Sequence, residues 1–401
     1  MPDAVWLVGV DMTPFGRFAD RDLLDLGSAA ALGALSDAGL SIRDVDVLAA
    51  GNVFQAASGV GQRLLQQIGQ TGIPVYNVVN ACATGATALR TAIMAIRAGE
   101  AEIALAVGME QMGKAGLLPT SLDPGWSPET FTPAGRDGSV MDTGGILGAA
   151  QMPAVFATAG IEYAFQHGGV HFEQFAKVAE KNHAHSTLNP RAQYRKRFTY
   201  DEIWAAPMVA FPNNALMCAP TGDGASAAVL VSGERLASLS DDQRRRAVKI
   251  SASVLTSDPW SDAGEALPDF NTLTRNAAIA AYEEAGVTPG DLDLVELHDC
   301  FATAELLHYD NLMLCAPGEA GRFIDEGHPW RDGTLPVNVS GGLLSKGHPV
   351  AATGIAGVYE IATHLRGEAG DRQIPGATVG LAHVLGLGSS CGVHILERGR
   401  G

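Results

Sequence analysis

Cysteine is sparse and unpaired in this sequence. The 401 residues hold five, at 82, 218, 300, 315 and 391, and none stands in a CxxC spacing. This excludes a disulfide framework and a ribbon-type zinc site, and leaves free thiols to be read one at a time. Basic residues are outnumbered, 27 Lys+Arg against 44 Asp+Glu, for a formal net charge of −17. A chain with so little positive charge is not built around nucleic acid, although a local basic patch can still hold an anionic small molecule. Charged residues make up only 18% and apolar ones 46%, so the chain buries a core rather than behaving as a disordered polyanion. No run of about eighteen apolar residues occurs, so no membrane span is expected. The start, MPDAVWLVGVDMTPFGR, carries an acid where a secretion signal has a basic group, and no Ser-Lys-Leu address closes the sequence. The expectation is a cytoplasmic protein.

What the sequence does have is an internal repeat. Ala30–Leu48, AALGALSDAGLSIRDVDVL, aligns without a gap with Ala277–Val295, AAIAAYEEAGVTPGDLDLV, at an offset of 247. Each copy reads as an amphipathic helix ended by glycine, a short turn and an apolar strand. A second pair follows the same order: VNACATG around Cys82 and VNVSGGLLSKGHPVAATG around His348 each lead into an Ala-rich helix and then a strand. Two βαβ-rich halves predict an α/β fold in which sheets sandwich helices. The expected halves are residues 1–237 and 247–401, joined by the charged connector Ser238–Arg246. The first half carries an insertion at about 111–211 that matches neither copy. A structureless loop of that length is improbable, so the insertion is expected to be folded, over the functional site.

Three stretches carry candidate chemistry. Cys82 stands where a strand ends and a helix of small residues begins. A thiol at a helix N-terminus faces free N–H groups and the positive end of the dipole, which favours thiolate; lowering its pKa from about 8.5 to about 7 takes roughly 2 kcal/mol. His348 lies between a glycine and a proline just ahead of a helix, aimed and suited to general-base work. His298, Asp299 and Cys300 fall together in LVELHDCFATAELL, at the loop equivalent to Gly51-Asn52-Val53 of the first half. Taken singly, each is equally well read as a buried core or capping residue.

Taken in order, the motifs resemble a family. NACATG at Cys82, HDCF at 298–301, GHP at 347–349 and GLGSS at 386–390 occur in the order found in thiolases, and HDCF resembles the sterol-carrier-protein-x type. KNHAHSTLNP and CAPTGDGA in and after the insertion are similar to that group as well, and the resemblance runs from about Val5 to Arg398. It implies a five-layered α-β-α-β-α sandwich with an inserted loop domain, and a CoA-dependent acyltransferase without metal or other cofactor, coenzyme A being the co-substrate. Cys82 would be the nucleophile and His348 its base. His298 would hold the thioester oxygen, and the amides of Cys82 and Gly388 the acyl-enzyme oxyanion. The usual second cysteine of a CxG motif falls on Gly386 here, so the resemblance assigns the second proton to Cys300, with Cys391 as the weaker candidate. Arg191, Arg195, Lys196 and Arg197 form the one basic run of the insertion and are candidates for the phosphates of CoA; a solvated helix face is the alternative. Partners implied are acyl-CoA and CoA, a second copy of the chain as a dimer or tetramer, and a small accessory protein. A thiolase-like acyltransferase or retro-aldolase subunit is the alternative enzyme, and a non-catalytic lipid-thioester scaffold the alternative of another class.

Overall fold

The repeat offset of 247 holds for a helix, a turn and a strand in the structure, a computed structural model that describes residues 4–112, 134–135, 138–139, 151–168, 170–260, 270–387 and 389–399. Helix α1 (Leu23–Ala38) and its counterpart Phe270–Ala285 both end on a left-handed glycine, Gly39 at φ 63° and Gly286 at φ 71°. Glycine suits that conformation because a Cβ would crowd the following carbonyl. Each helix is followed by a single 3₁₀ turn, Ile42–Asp44 or Pro289–Asp291, in which the acid accepts from the backbone N–H three residues back, that of Ser41 at 2.8 Å or Thr288 at 2.7 Å. Then comes a strand, β2 (Val47–Gly51) or Leu294–Glu296. The aspartates before these strands are equivalent too. Asp46 accepts from the amides of Glu102 and Ile103, and Asp293 from those of Thr378 and Val379, fixing the start of the neighbouring parallel strand in each half.

The other main elements of the first half are β1 (Val5–Met12), α2 (Val60–Ile68), β3 (Val75–Val78), α3 (Thr84–Arg97) and β4 (Ile103–Gln111), then α4 (Gln151–His167) and α5 (Phe172–Ser186), and β5 (Asp223–Ser232). The second half comprises β6 (Val248–Thr256), α6 (Phe270–Ala285), β7 (Leu294–Glu296), α7 (Ala302–Asn311), α8 (Thr353–Arg366), β8 (Val379–Gly386) and β9 (Ser390–Arg398). Strand order in the first half is β3-β2-β4-β5-β1, with β2, β3 and β4 parallel and the rest antiparallel. The second half repeats it as β7-β8-β9-β6, and a parallel bridge between Val295 and Val337 takes the place of β3. The halves join edge to edge through β1 and β6, Val5 opposite Ile250 and Leu7 opposite Val248.

Side-chain alternation along the strands divides the core. On β4, Ala104 and Ala106 face a middle layer made by α3 and α8, while Leu105, Val107 and Met109 face α1 and α2. On the second half Leu381, Val393 and Ile395 face α6 and α7. The layers are therefore helix, sheet, helix, sheet, helix. Strands covered on both faces are near-continuously apolar, as in IALAVGM of β4. Among the described residues no helix is long and apolar enough to cross a membrane.

The middle layer positions the chemistry. The two ATG triplets, Ala83-Thr84-Gly85 and Ala352-Thr353-Gly354, open α3 and α8, and the helices cross at their first turns. A Cβ on Gly85 would lie 2.6 Å from the carbonyl oxygen of Ala351. Backbone thus meets backbone here, and the loops carrying Cys82 and His348 are brought side by side.

Candidate active site

Cys82 sits on a sharp turn. Ala81 before it has φ 46°, a left-handed conformation costing about 1–2 kcal/mol for a residue with a Cβ. Thr84 holds the turn by accepting from the amide of Asn80 at 2.8 Å and donating to the carbonyl of Ala81 at 2.6 Å. The thiol is buried, between α3 and the end of β8, and its neighbours are the backbone N–H groups of Cys82 itself and Leu387.

One donor atom from each of Cys82, His298 and His348 lies within 4.8 Å of the other two, and among the described residues this is the one group of three metal-type donors in mutual reach. The His298 and His348 rings meet edge to face with centres 5.2 Å apart. These residues, with Cys300, Phe301, Ala219 and Leu387, line a narrow cavity of about 20 Å³, room for roughly one water, and Met152 and Phe156 of α4 close it from the insertion side. Helix α4 thus lies against the site, while residues 113–133 lie outside the described residues.

The tautomer of His348 follows from its partner. Nδ1 is 2.8 Å from Oγ1 of Thr353, and the single hydroxyl proton of Thr353 goes to the carbonyl of Pro349 at 3.0 Å. Nδ1 must then be the donor, and Nε2 is a bare lone pair with no hydrogen-bond partner among the described residues. Burial drives the His348 pKa down to about 3, so the ring rests neutral.

The helix-terminus argument for a resting thiolate is overturned. Burial pushes the Cys82 pKa up to about 12, and the nearby Glu110 carboxyl adds to the rise; the amides of Cys82 and Leu387 pull it down by less. Desolvation of the anion outweighs the dipole because the sulfur lies inside the protein rather than at a solvated helix end. The resting pair is a neutral thiol beside a neutral imidazole.

The HDCF loop is tied down along its length. Asp299 accepts from the amides of Leu343 at 2.6 Å and Leu344 at 3.2 Å and from the Asn182 side chain at 2.8 Å, which docks the loop on the segment leading into GHP. The carbonyl of Cys300 accepts from Ala219 at 2.9 Å. Burial and the neighbouring Cys82 hold the Cys300 pKa well above the ordinary thiol range, keeping its proton. His298 is neutral as well, its pKa held well down by burial and by the imidazoles around it. Cys391, by contrast, packs among α6 and the second-half strands beside Thr274, and is not a lining residue of the cavity. Gly386 lies against the Cys82 turn, where a Cβ would come within 2.6 Å of the Asn80 carbonyl, so no cysteine fits there on this backbone. Gly388 lies outside the described residues.

The basic run divides. Arg191 pairs with Asp11 at 2.8 Å and covers the Tyr359 ring, whereas Arg195, Lys196 and Arg197 are exposed. Their segment is docked beside the GHP loop, because the amides of Gln193 and Tyr194 donate to the carbonyls of Lys346 and Ser345. Sequence reasoning did not single out Thr353, although it lies five residues after His348 in the second ATG triplet. It also missed the buried network in which Lys181 pairs with Glu305 at 2.8 Å and Asn182 bridges Glu305 and Asp299. KNHAHSTLNP is the source of that network.

Comparison with known proteins agrees with this architecture. Residues 5–203 match the model of the thiolase N-terminal domain and residues 262–398 that of the thiolase C-terminal domain-like family. Human sterol carrier protein 2 is 40% identical over 403 residues, covering 98% of this chain and 72% of that protein. An acetyl-CoA acetyltransferase of Methanothermobacter thermautotrophicus is 36% identical over 404 residues, 98% of this chain and 99% of that one. Among solved structures, the Ltp2-ChsH2(DUF35) aldolase superposes with a TM-score of 0.80 at 24% identity, over 100% of this chain and 99% of that chain. Human mitochondrial 3-ketoacyl-CoA thiolase superposes with a TM-score of 0.73 at 19% identity, over 98% and 99%. With both halves matched in sequence and the layered fold shared, the chain belongs to the thiolase family.

Proposed function

We propose that the protein is a CoA-dependent thiolase, cleaving and forming 3-oxoacyl-CoA through an acyl group carried on Cys82. The observation that carries this reading is the bare Nε2 of His348 in one cluster with the Cys82 sulfur. In the cleavage direction the Cys82 proton passes to Nε2 as sulfur attacks the C3 carbonyl, which suits a pair that rests neutral. The amides of Cys82 and Leu387, which lie beside the sulfur, are proposed to hold the oxyanion, and Gly388 is kept as a candidate. The C2–C3 bond then breaks, its electron pair becoming the enolate of acetyl-CoA. The neutral imidazole of His298 donates to the enolate oxygen and the Cys300 thiol gives its proton to the enolate carbon. His348 returns the Cys82 proton to the Cys300 thiolate and, neutral again, takes the proton of a CoA thiol whose sulfur attacks the acyl carbon; Cys82 leaves as thiolate and recovers that proton from His348.

Arg195, Lys196 and Arg197 are proposed to hold the CoA phosphates, and neutralising Arg195 and Lys196 is expected to raise KM for CoA with kcat kept. A homodimer is supported by β3, which ends the sheet with Tyr76 and Val79 exposed beside a strand edge unpaired among the described residues. A small accessory protein enters only through the neighbour named Ltp2-ChsH2(DUF35) aldolase. Retention of Cys82 and its base favours thiolysis over retro-aldol cleavage and over a silent scaffold. The test is incubation with acetoacetyl-CoA and CoA: acetyl-CoA is expected from the native protein and none from Cys82→Ala, whereas turnover by both would exclude the acyl-enzyme.

A further inference from the structure

Four buried imidazoles run in a row from the cavity into the second half. His348 meets His298, and His383 meets His308 edge to face with ring centres 4.6 Å apart. The two pairs join where the backbone N–H of His298 donates to Nδ1 of His383, at 3.4 Å. The reaction proposed above uses His298 and His348 and leaves His383 without a task.

Its place in the sheet supplies one. The β7–β8 ladder runs from Leu294 opposite Gly380 to Glu296 opposite Ala382 and stops. The next amide, of Leu297, is taken by Oδ1 of Asn338 at 2.9 Å. The one after it, of His298, has left the ladder inside the protein, where a donor without an acceptor is costly. Nδ1 of His383 substitutes for the missing strand carbonyl. An accepting Nδ1 is unprotonated, so the neutral ring carries its proton on Nε2. The HDCF loop is thereby held by His383 at its start, by Asp299 in its middle and by Ala219 at its end. Both groups assigned to the enolate step, His298 and Cys300, ride on this loop. Cys82 and His348, which carry the acylation step, are held by α3 and α8 instead.

We infer that His383 is a positioning residue for the enolate step alone, fixing the His298–Cys300 loop through the His298 amide. The inference rests on the thiolase reading for its kinetic readout and on the geometry for its structural one. His383→Leu removes the acceptor, while in His383→Asn the side-chain oxygen stands where Nδ1 does. The measured quantities are deuterium exchange at the acetyl-CoA methyl and the rate of Cys82 acetylation by the same thioester. The leucine variant is expected to lose about 100-fold in exchange, the scale of a small misplacement of a reacting group. Its acetylation should stay within about threefold of native on the same scale of reasoning, and the asparagine variant should recover most of the exchange. Equal losses in both measurements, no loss in either, or an asparagine variant as poor as leucine would overturn the inference. Where the leucine variant does not fold, the ratio of exchange to acetylation in His383→Asn against His383→Gln decides, since glutamine places its oxygen beyond the Nδ1 position. If the native protein shows no exchange at all, the thiolase reading fails by itself. Crystal structures of the variants then judge the inference without turnover: the His298 ring is expected to be displaced in leucine and unmoved in asparagine, and an unmoved ring in both refutes it.

Discussion

Nδ1 of His348 donates to Oγ1 of Thr353 at 2.8 Å, and this one bond decides which imidazole nitrogen faces Cys82. Thr353→Val keeps the shape of the side chain and removes the acceptor, freeing the ring to take the other tautomer or rotate. Acylation of Cys82 should fall about 10²-fold, the lower end of the contribution of a positioned base. Thr353→Ser should restore it. A valine variant acylating at the native rate would show that the tautomer is set by something else.

The assignment of the second proton turns on Cys300 lining the cavity while Cys391 packs beside Thr274. Cys300→Ala is expected to abolish deuterium exchange at the acetyl-CoA methyl while leaving Cys82 able to accept an acetyl group. Cys391→Ala should leave exchange intact. The reverse pattern would move the role to Cys391.

The pKa directions give a pH profile with a definite sign. Cys82 is raised to about 12 and His348 lowered to about 3, so neither ionises in the free protein across the neutral range. Alkylation of Cys82 by iodoacetamide should rise steadily with pH up to pH 9, without the plateau near pH 6–7 that a stored thiolate would give. The same burial makes the fold acid-sensitive. His185, His308, His348 and His394 are each lowered to about 3, so between their unfolded value near 6.5 and that figure the unfolded chain binds more protons than the native one. The contribution of these histidines is therefore full above about pH 6.5 and lost as pH falls, by up to about 1.4 kcal/mol per pH unit for each proton, while the Glu110 carboxyl, raised by burial to about 7, offsets one such proton. Urea denaturation at pH 7 and pH 5.5 measures the slope, and equal midpoints would contradict it.

Lys181 and Glu305 form an ion pair whose side chains are both 0% exposed. Glu305 also accepts from Asn182, Asn338 and Tyr309, so it anchors the insertion to the helix that follows the HDCF loop. Lys181→Met leaves this carboxylate without its cation, and should cost about 3–5 kcal/mol in denaturant unfolding. A loss below about 1 kcal/mol, the range of an exposed pair, would mean that water reaches the site.

Much of this was legible in the sequence, and the reason lies in particular residues. The repeat was readable because Gly39 and Gly286, and Asp44 and Asp291, do local work that any copy must keep: a left-handed helix end and a turn cap. Cys82, His298, Cys300 and His348 were readable as short motifs, and the structure brings all four to one cavity. The charge state of Cys82 was misread, because a helix N-terminus is visible in sequence while the depth at which it is buried is not. The roles of Thr353, Asp299 and His383 stayed hidden for a related reason. Each acts through a contact with a residue whose neighbourhood is set by the crossing of α3 and α8 or by the end of a strand ladder.

The most direct test of the account is mass spectrometry of the peptide containing Cys82 after brief incubation with acetyl-CoA. An acetyl adduct on that peptide, absent in Cys82→Ser and removed by added CoA, is predicted. An unmodified Cys82 in a protein that still turns over acetoacetyl-CoA would contradict the account.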